Sequence, residues 1–291
     1  MRFKTIAIYT SSKTKKVLQI TEQVIEILKS MGIRILMSKS SPISDKLGIK
    51  NYADSTINTK ADLVISIGGD GTLLGSVRLF GKEGLPILGI NLGSLGFLTD
   101  VPPEELTLNL KKILLGSFKK DERFFLEAYT NHDKFFNLAL NEAVIHSGGI
   151  AQLIEYDLFL DDEFVFKQKA DGIIISTPTG STAYSLSANG PIVHPNVEAI
   201  NLLPMFPHSL NSRPLLVEAS TKITVKVGKG YKAKLSLDGQ NNTNLKSGEE
   251  IIIKKASSKL ILIHPEDHDF YSACRTKLGW SLGFTEKDHN L

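Results

Sequence analysis

The chain has 291 residues, 42% apolar and 22% charged, with a formal net charge of +3 and a pI near 8.7. These values describe a globular protein able to bury a sizeable core in one large or two ordinary domains. The mild basicity is too weak to point to nucleic acid. Lys13, Lys15, Lys16 and the Lys119-Lys120 pair read as solvated faces without interleaved aromatics. No apolar run approaches the length of a membrane span, and the N-terminal run is too short for a signal peptide. The single cysteine, Cys274, excludes an intramolecular disulfide. The expected setting is therefore the cytoplasm, with neither membrane nor nucleic acid as partner.

In chain order, Thr5 to Tyr9 reads as a first strand. Thr14 to Met31 places Val17, Leu18, Thr21, Val24, Ile25, Leu28 and Met31 at helical spacing, and Gly32 ends it. Ile33 to Met37, Leu63 to Ile67 and Pro86 to Ile90 are further short apolar strands. Strands that alternate with helices predict a mostly parallel sheet covered on both faces. A helix over Pro103 to Leu115, closed by Gly116, precedes a change of pattern. Phe124 to Tyr129, Phe135 to Leu140 and Ala143 to His146 read as strands, and Leu153 to Leu160 alternates apolar with polar residues. Asp161-Asp162 marks a turn before Phe164 to Phe166. Ile223 to Val227, Ala233 to Leu237, Ile251 to Ile253 and Leu260 to His264 complete the series. The fold class expected is an α/β N-terminal domain with a mostly parallel sheet, followed by an all-β, sandwich-like C-terminal domain. The domain limits follow as 1–120, 121–266 and a C-terminal segment, 267–291, returning to the first domain.

The most informative residues are Gly68-Gly69-Asp70-Gly71-Thr72. They follow the Leu63 to Ile67 strand and precede helical spacing at Leu73, Leu74, Val77 and Phe80. A strand that breaks into glycines and enters a helix brings backbone N–H groups up to a phosphate. Gly68, Gly69 and Thr72 are the candidate phosphate contacts. The pattern is neither a Walker A loop nor the dinucleotide fingerprint. A carboxylate repels phosphate, so Asp70 points to a base or a metal anchor. The alternative is a plain turn with Asp70 capping the helix.

Three further polar clusters lie among the later strands. Asn141-Glu142 separates two apolar runs, as a surface turn would. Asp171-Gly172 and an apolar Ile173 to Ile175 lead into Ser176 to Ser185, where seven of ten residues carry a hydroxyl. Such a loop offers donors and acceptors to a polyhydroxylated or phosphorylated ligand, or forms a set of caps and turns. Asp238-Gly239-Gln240 fits a type I′ hairpin turn.

Taken together, GGDGT, Asn-Glu and the Asp-Gly…Thr-Pro-Thr-Gly-Ser-Thr-Ala-Tyr-Ser loop, in this order, resemble the NAD kinase family. Met205 to Leu210 and Ser212-Arg213-Pro214 are also similar to its pattern, and the resemblance runs from about Ile6 to Trp280. GGDGT alone is shared with phosphofructokinases and diacylglycerol-type lipid kinases; the Thr177 to Ser185 loop narrows the match. The resemblance implies transfer of the γ-phosphoryl of ATP to the 2′-hydroxyl of the adenosine ribose of NAD, giving NADP. Asp70 matches the general base, with Gly71 beside it. Asn141 and Glu142 match the pair that holds the ribose hydroxyls. Asp171 matches a carboxylate in contact with the dinucleotide. Thr182, Ala183, Tyr184 and Ser187 match pocket-lining residues, and Ser185 and Leu186 lie in the same loop. Gln240 falls near the adenosine. Gln152 and Lys169 stand at contact positions where the family varies. The resemblance further implies Mg²⁺ on the ATP phosphates with few protein ligands. It also implies a homodimer or homotetramer, and an active site where the two domains face each other.

His146, His194, His208 and His264 show no zinc-ligand spacing and read as structural, so no resident metal site is expected. The rival functions are a kinase of a sugar phosphate or lipid, and a non-catalytic NADP(H)-binding sensor. The chain shows no amphipathic membrane stretch or lipidation signal, and a sensor has no use for Asp70 beside phosphates.

Overall fold

The computed structural model describes residues 3–93, 96–130, 135–149 and 152–280. Two compact units divide the chain: residues 1–122 with 260–291, and residues 123–259. The return to the first unit therefore comes at Leu260, within a strand, rather than at residue 267. Residues 281–291 of the C-terminal segment lie outside the described residues.

The first unit opens with β1 (Thr5–Thr10), α1 (Lys15–Ser30), β2 (Arg34–Ser38) and β3 (Asn51–Tyr52). Then come α2 (Asp54–Lys60), β4 (Leu63–Ile67), α3 (Asp70–Phe80), β5 (Ile87–Ile90) and α4 (Leu106–Leu115). Thr14 caps α1 by accepting the Val17 N–H at 3.4 Å, and Val17, Ile20, Val24 and Leu28 bury one helix face. Gly32, in the left-handed region at φ 69°, lets the chain turn away. The strands pair in parallel in the order β3-β2-β1-β4-β5. Leu262 and Ile263 extend the sheet in parallel beside β5. β1 and β4 are buried throughout their apolar runs, as central parallel strands require. The predicted helix over 103–115 is a 3₁₀ turn, Pro103–Glu105, followed by α4.

The second unit contains most of β6 (Lys119–Thr130), then β7 (Phe135–Ala139), β8 (Glu142–His146), β9 (Ile154–Leu160), β10 (Glu163–Ala170) and β11 (Gly172–Ser176). A short helix, α5 (Tyr184–Ser187), follows, and then β12 (Ala199–Met205), β13 (Leu215–Glu218), β14 (Ile223–Val227), β15 (Ala233–Leu237) and β16 (Asn241–Leu245). β17 (Glu250–His264) passes into the first unit, where α6 (Phe270–Leu278) ends the described helices. β17 joins the two expected strands 251–253 and 260–264. Its polar centre is a continuing strand in which Ala256 points inward, not a turn.

Pairing in the second unit is antiparallel. One sheet has the order β10-β9-β14-β17 and the other β13-β12-β11-β8-β15-β16. Both contribute to one core: Tyr156 and Leu158 from the first, Ile145, Ile175 and Leu235 from the second. Strand alternation decides what is left over. Ala143 and Ile145 of β8 enter this core, so Glu142, Val144 and His146 face the other side of the sheet.

Candidate active site

In the first unit, chain order reverses across the parallel sheet at β1 and β4. β1 leads to β2 and β3 on one side, and β4 leads to β5 on the other. Open parallel sheets take ligands at the carboxyl ends of strands at such a point. The GGDGT turn leaves β4 there. Ser11, just beyond β1, meets it with Oγ 2.5 Å from Thr72 Oγ1. A Cβ on Gly68 would clash with the same Thr72 hydroxyl, so the turn closes only with glycine at this position.

Asp70 is not a helix cap. Gly69 occupies the N-cap position without a side-chain bond, and Asp70 is the first helical residue. Its carboxylate instead turns to the loop after β5. Oδ2 accepts the Phe97 N–H at 2.9 Å, and Oδ1 accepts the Leu98 N–H at 3.1 Å and the Thr99 hydroxyl at 3.3 Å. Gly96 lies so close that a Cβ would strike Oδ1. The carboxylate is thus held in one orientation and retains lone pairs for a further proton or cation. Sequence reasoning missed this loop. Its signal was available: β5, like β4, ends in a glycine-bearing stretch, with Gly93 and Gly96.

In the second unit, Asp238 and Gly239 adopt φ of 49° and 68°, the paired left-handed residues of a type I′ turn. The turn is more than a connection. The Asp238 carboxylate accepts N–H groups of Leu140 at 2.9 Å, Asn141 at 2.7 Å and Glu142 at 3.2 Å. Asp238, absent from the expected site, therefore organises the Asn141-Glu142 pair. Burial raises the Glu142 carboxyl, and the Asp238 charge adds to it, to about 8. Glu142 Oε2 is buried without a hydrogen-bond partner.

The hydroxyl-rich loop packs against the same pair. The Thr177 N–H donates to the Asn141 carbonyl at 2.9 Å, and the Thr177 hydroxyl donates to the Leu140 carbonyl at 2.6 Å. Most of its hydroxyls are used within the protein. Ser176, Ser181 and Thr182 donate to carbonyls; Thr179 accepts from Arg123 and Ser185 from Asn201. The caps-and-turns alternative thus describes most of the loop. Tyr184 differs, 44% exposed and facing a pocket.

That pocket, about 390 Å³, lies on the outer face of the β8-β11-β15 sheet and includes Glu142, Asp171 and Tyr184 of the expected residues. Val144, His146, Met205, Phe206 and Ser236 also line it. Val144, His146 and Ser236 were legible as alternate positions from Glu142 and from Asp238. His146, expected to be structural, lines the pocket, and its Nδ1 accepts the Gly148 N–H at 3.0 Å. Gln152 lines an adjoining pocket of about 520 Å³ with Lys232 and Lys234. Thr182, Ala183 and Leu186 are half-buried and Ser185 is buried. Ser187, Lys169 and Gln240 are exposed. None of these seven lines either pocket.

The profile of the ATP-NAD kinase N-terminal domain matches residues 6–118, and that of the ATP-NAD kinase C-terminal domain matches residues 140–265. The chain belongs to the ATP-NAD kinase family. Among ATP-NAD kinase relatives, the NAD kinase of Chromohalobacter salexigens is 40% identical over 285 residues, covering 96% of this chain and 97% of that protein. The NAD kinase of Shewanella piezotolerans is 47% identical over 229 residues, covering 77% and 74%. The yeast NADH kinase solved with NADH superposes with a TM-score of 0.89 at 29% identity, covering 98% of this chain and 90% of that one. The NAD kinase of Archaeoglobus fulgidus solved with ATP gives 0.74 at 26% identity, covering 94% and 98%.

Proposed function

We propose that this member of the ATP-NAD kinase family transfers the γ-phosphoryl group of ATP to the 2′-hydroxyl of the adenosine ribose of NAD, making NADP. The observation that carries the mechanism is Asp70: one oriented carboxylate at a glycine turn otherwise suited to phosphate. The ribose O2′ attacks the γ-phosphorus and the bond to the ADP oxygen breaks. Asp70 takes the O2′ proton, help worth roughly 10²–10⁴-fold. The amides of Gly68 to Thr72 bind phosphate oxygens. Asn141 and Glu142 hold the ribose hydroxyls. Asp171 and Tyr184 line the pocket proposed for the adenosine; the rest of the 182–187 segment, with Gln240, Gln152 and Lys169, is assigned to the dinucleotide on the family resemblance alone.

Mg²⁺ is part of this reading. Among the described residues, no group of three His, Cys, Asp or Glu side chains gathers around Asp70. That fits an ion carried largely by phosphates and water, with Asp70 the carboxylate able to add a ligand. When bound, the ion neutralises phosphate charge.

The test is NADP formation from NAD, ATP and Mg²⁺ by wild type and Asp70→Asn. Wild type is expected to turn over, and the variant to bind NAD while losing at least about 100-fold in kcat. Wild type that binds dinucleotide but makes no NADP would return the protein to a sensor or to another acceptor.

A further inference from the structure

A second cluster in the first unit is not used by this chemistry. Asp100 follows the loop that holds Asp70, His264 ends β17, and His268 stands just before α6. Nδ1 of His264 lies 2.9 Å, and Nδ1 of His268 2.6 Å, from the same Asp100 Oδ2. The two imidazoles stack with centroids 3.9 Å apart and planes 16° from parallel. The three ligand atoms lie within 4.8 Å of one another, and no other such group of three occurs among the described residues.

Hydrogen bonding leaves this cluster incomplete. Asp100 Oδ1 and His264 Nε2 are buried without hydrogen-bond partners, and His264 is 1% exposed. Asp121 Oδ2 stands 3.6 Å from that Nε2. Asp100 and His268 also form part of the wall of a pocket of about 170 Å³, whose lining includes Glu105, Asp267 and Asp269 but no lysine or arginine. Asp269 is paired with Arg275 at 2.8 Å, which leaves Glu105 and Asp267 as the carboxylates beside the cluster.

We propose that Asp100, His264 and His268 bind a divalent transition-metal ion of the zinc class, at a site distinct from the Mg²⁺ that accompanies ATP. Two imidazoles and one carboxylate suit zinc, cobalt or nickel, whereas Mg²⁺ prefers oxygen alone. Metal–ligand bonds of about 2.0–2.2 Å hold tetrahedral donors about 3.3–3.5 Å apart, so Asp100 Oδ2 must part from both nitrogens and the half-buried His268 ring must turn out of the stack for the two Nδ1 lone pairs to meet at one ion. When the metal takes Nδ1 of a neutral ring, the ring proton moves to Nε2. On His264 that N–H faces Asp121, which becomes the outer carboxylate that metal-bound histidines commonly carry. Asp100 directly follows Phe97, Leu98 and Thr99, so the ion would also pin the loop that orients Asp70.

The test uses the full chain stripped with a chelator, then titrated with Co²⁺ and, separately, with Zn²⁺. Wild type is expected to show visible Co²⁺ d–d bands saturating at one ion per chain, a matching calorimetric Zn²⁺ stoichiometry, and a raised Tm with Zn²⁺. A large excess of Mg²⁺ should leave the bands in place. His268→Ala and Asp100→Asn should lose them, and His194→Ala should keep them. His268 is a half-buried residue ahead of α6, so its variant keeps the test decisive if the Asp100 variant fails to fold. No bands and no saturable Zn²⁺ heat in wild type, equal binding by His268→Ala, or displacement by Mg²⁺ would each overturn the proposal.

Discussion

Glu142 concentrates the site's electrostatics in one side chain. Burial and the neighbouring Asp238 keep its carboxyl protonated up to about 8, against an ordinary 4.5. Between those values the folded protein holds a proton that the unfolded chain releases. This contribution to stability is fully present below about 4.5 and is lost as pH rises through about 8. Denaturant unfolding at several pH values should show that slope in wild type and a flatter one in Glu142→Gln. The protonated carboxyl can also donate to a ligand oxygen, which an ionised one cannot. Asp238 supports the pair from below. Asp238→Ala removes a charged acceptor from three amides at once and should cost about 3 kcal/mol in urea unfolding, with weaker NAD binding. The sequence shows Asp238 as a turn residue. Its second role is invisible there, because its partners lie nearly a hundred positions earlier in the chain.

At the scale of elements, two glycine-bearing segments carry the site. The GGDGT turn was legible because strand, glycines and helix follow one another without interruption. The 176–187 loop was legible as a motif but not in its use of hydroxyls, which are mostly bonded within the fold. Gly180 explains its close seating, since a Cβ there would clash with the Asn141 carbonyl. Backbone atoms cannot yield as a flexible side chain can. Gly180→Ala is therefore expected to destabilise by about 1–3 kcal/mol and to raise the Kd for NAD, read by a lowered urea midpoint and by calorimetry. A variant with unchanged midpoint and affinity would show that the loop has room to shift.

For the whole molecule, the homo-oligomer implied by the family resemblance stands as a prediction. Phe206 is 76%, Leu210 94% and Leu216 49% exposed, apolar side chains that a second copy would remove from water. Light scattering should give a mass at or above twice the 32.0 kDa of one chain. A monomer at assay concentration would overturn the oligomer prediction.

Local order along the chain determined a great deal. The alternation of strand and helix specifies a parallel sheet because each strand must be covered on both faces. Period-two patterning specifies the antiparallel unit because each strand buries only one face. GGDGT is legible as a glycine turn between strand and helix because its residues are adjacent, whereas Asn-Glu reads locally as a turn and takes a ligand role only from the family resemblance. Tertiary structure alone decided what distant residues do to one another. It turned Asp70 away from capping and onto the 97–99 loop. It set Asp238 beneath Glu142, and it brought Asp100 against His264 and His268. Hydrogen bonds and burial depend on distance in space, and residues separated by 27 to 164 positions carry no local trace of meeting.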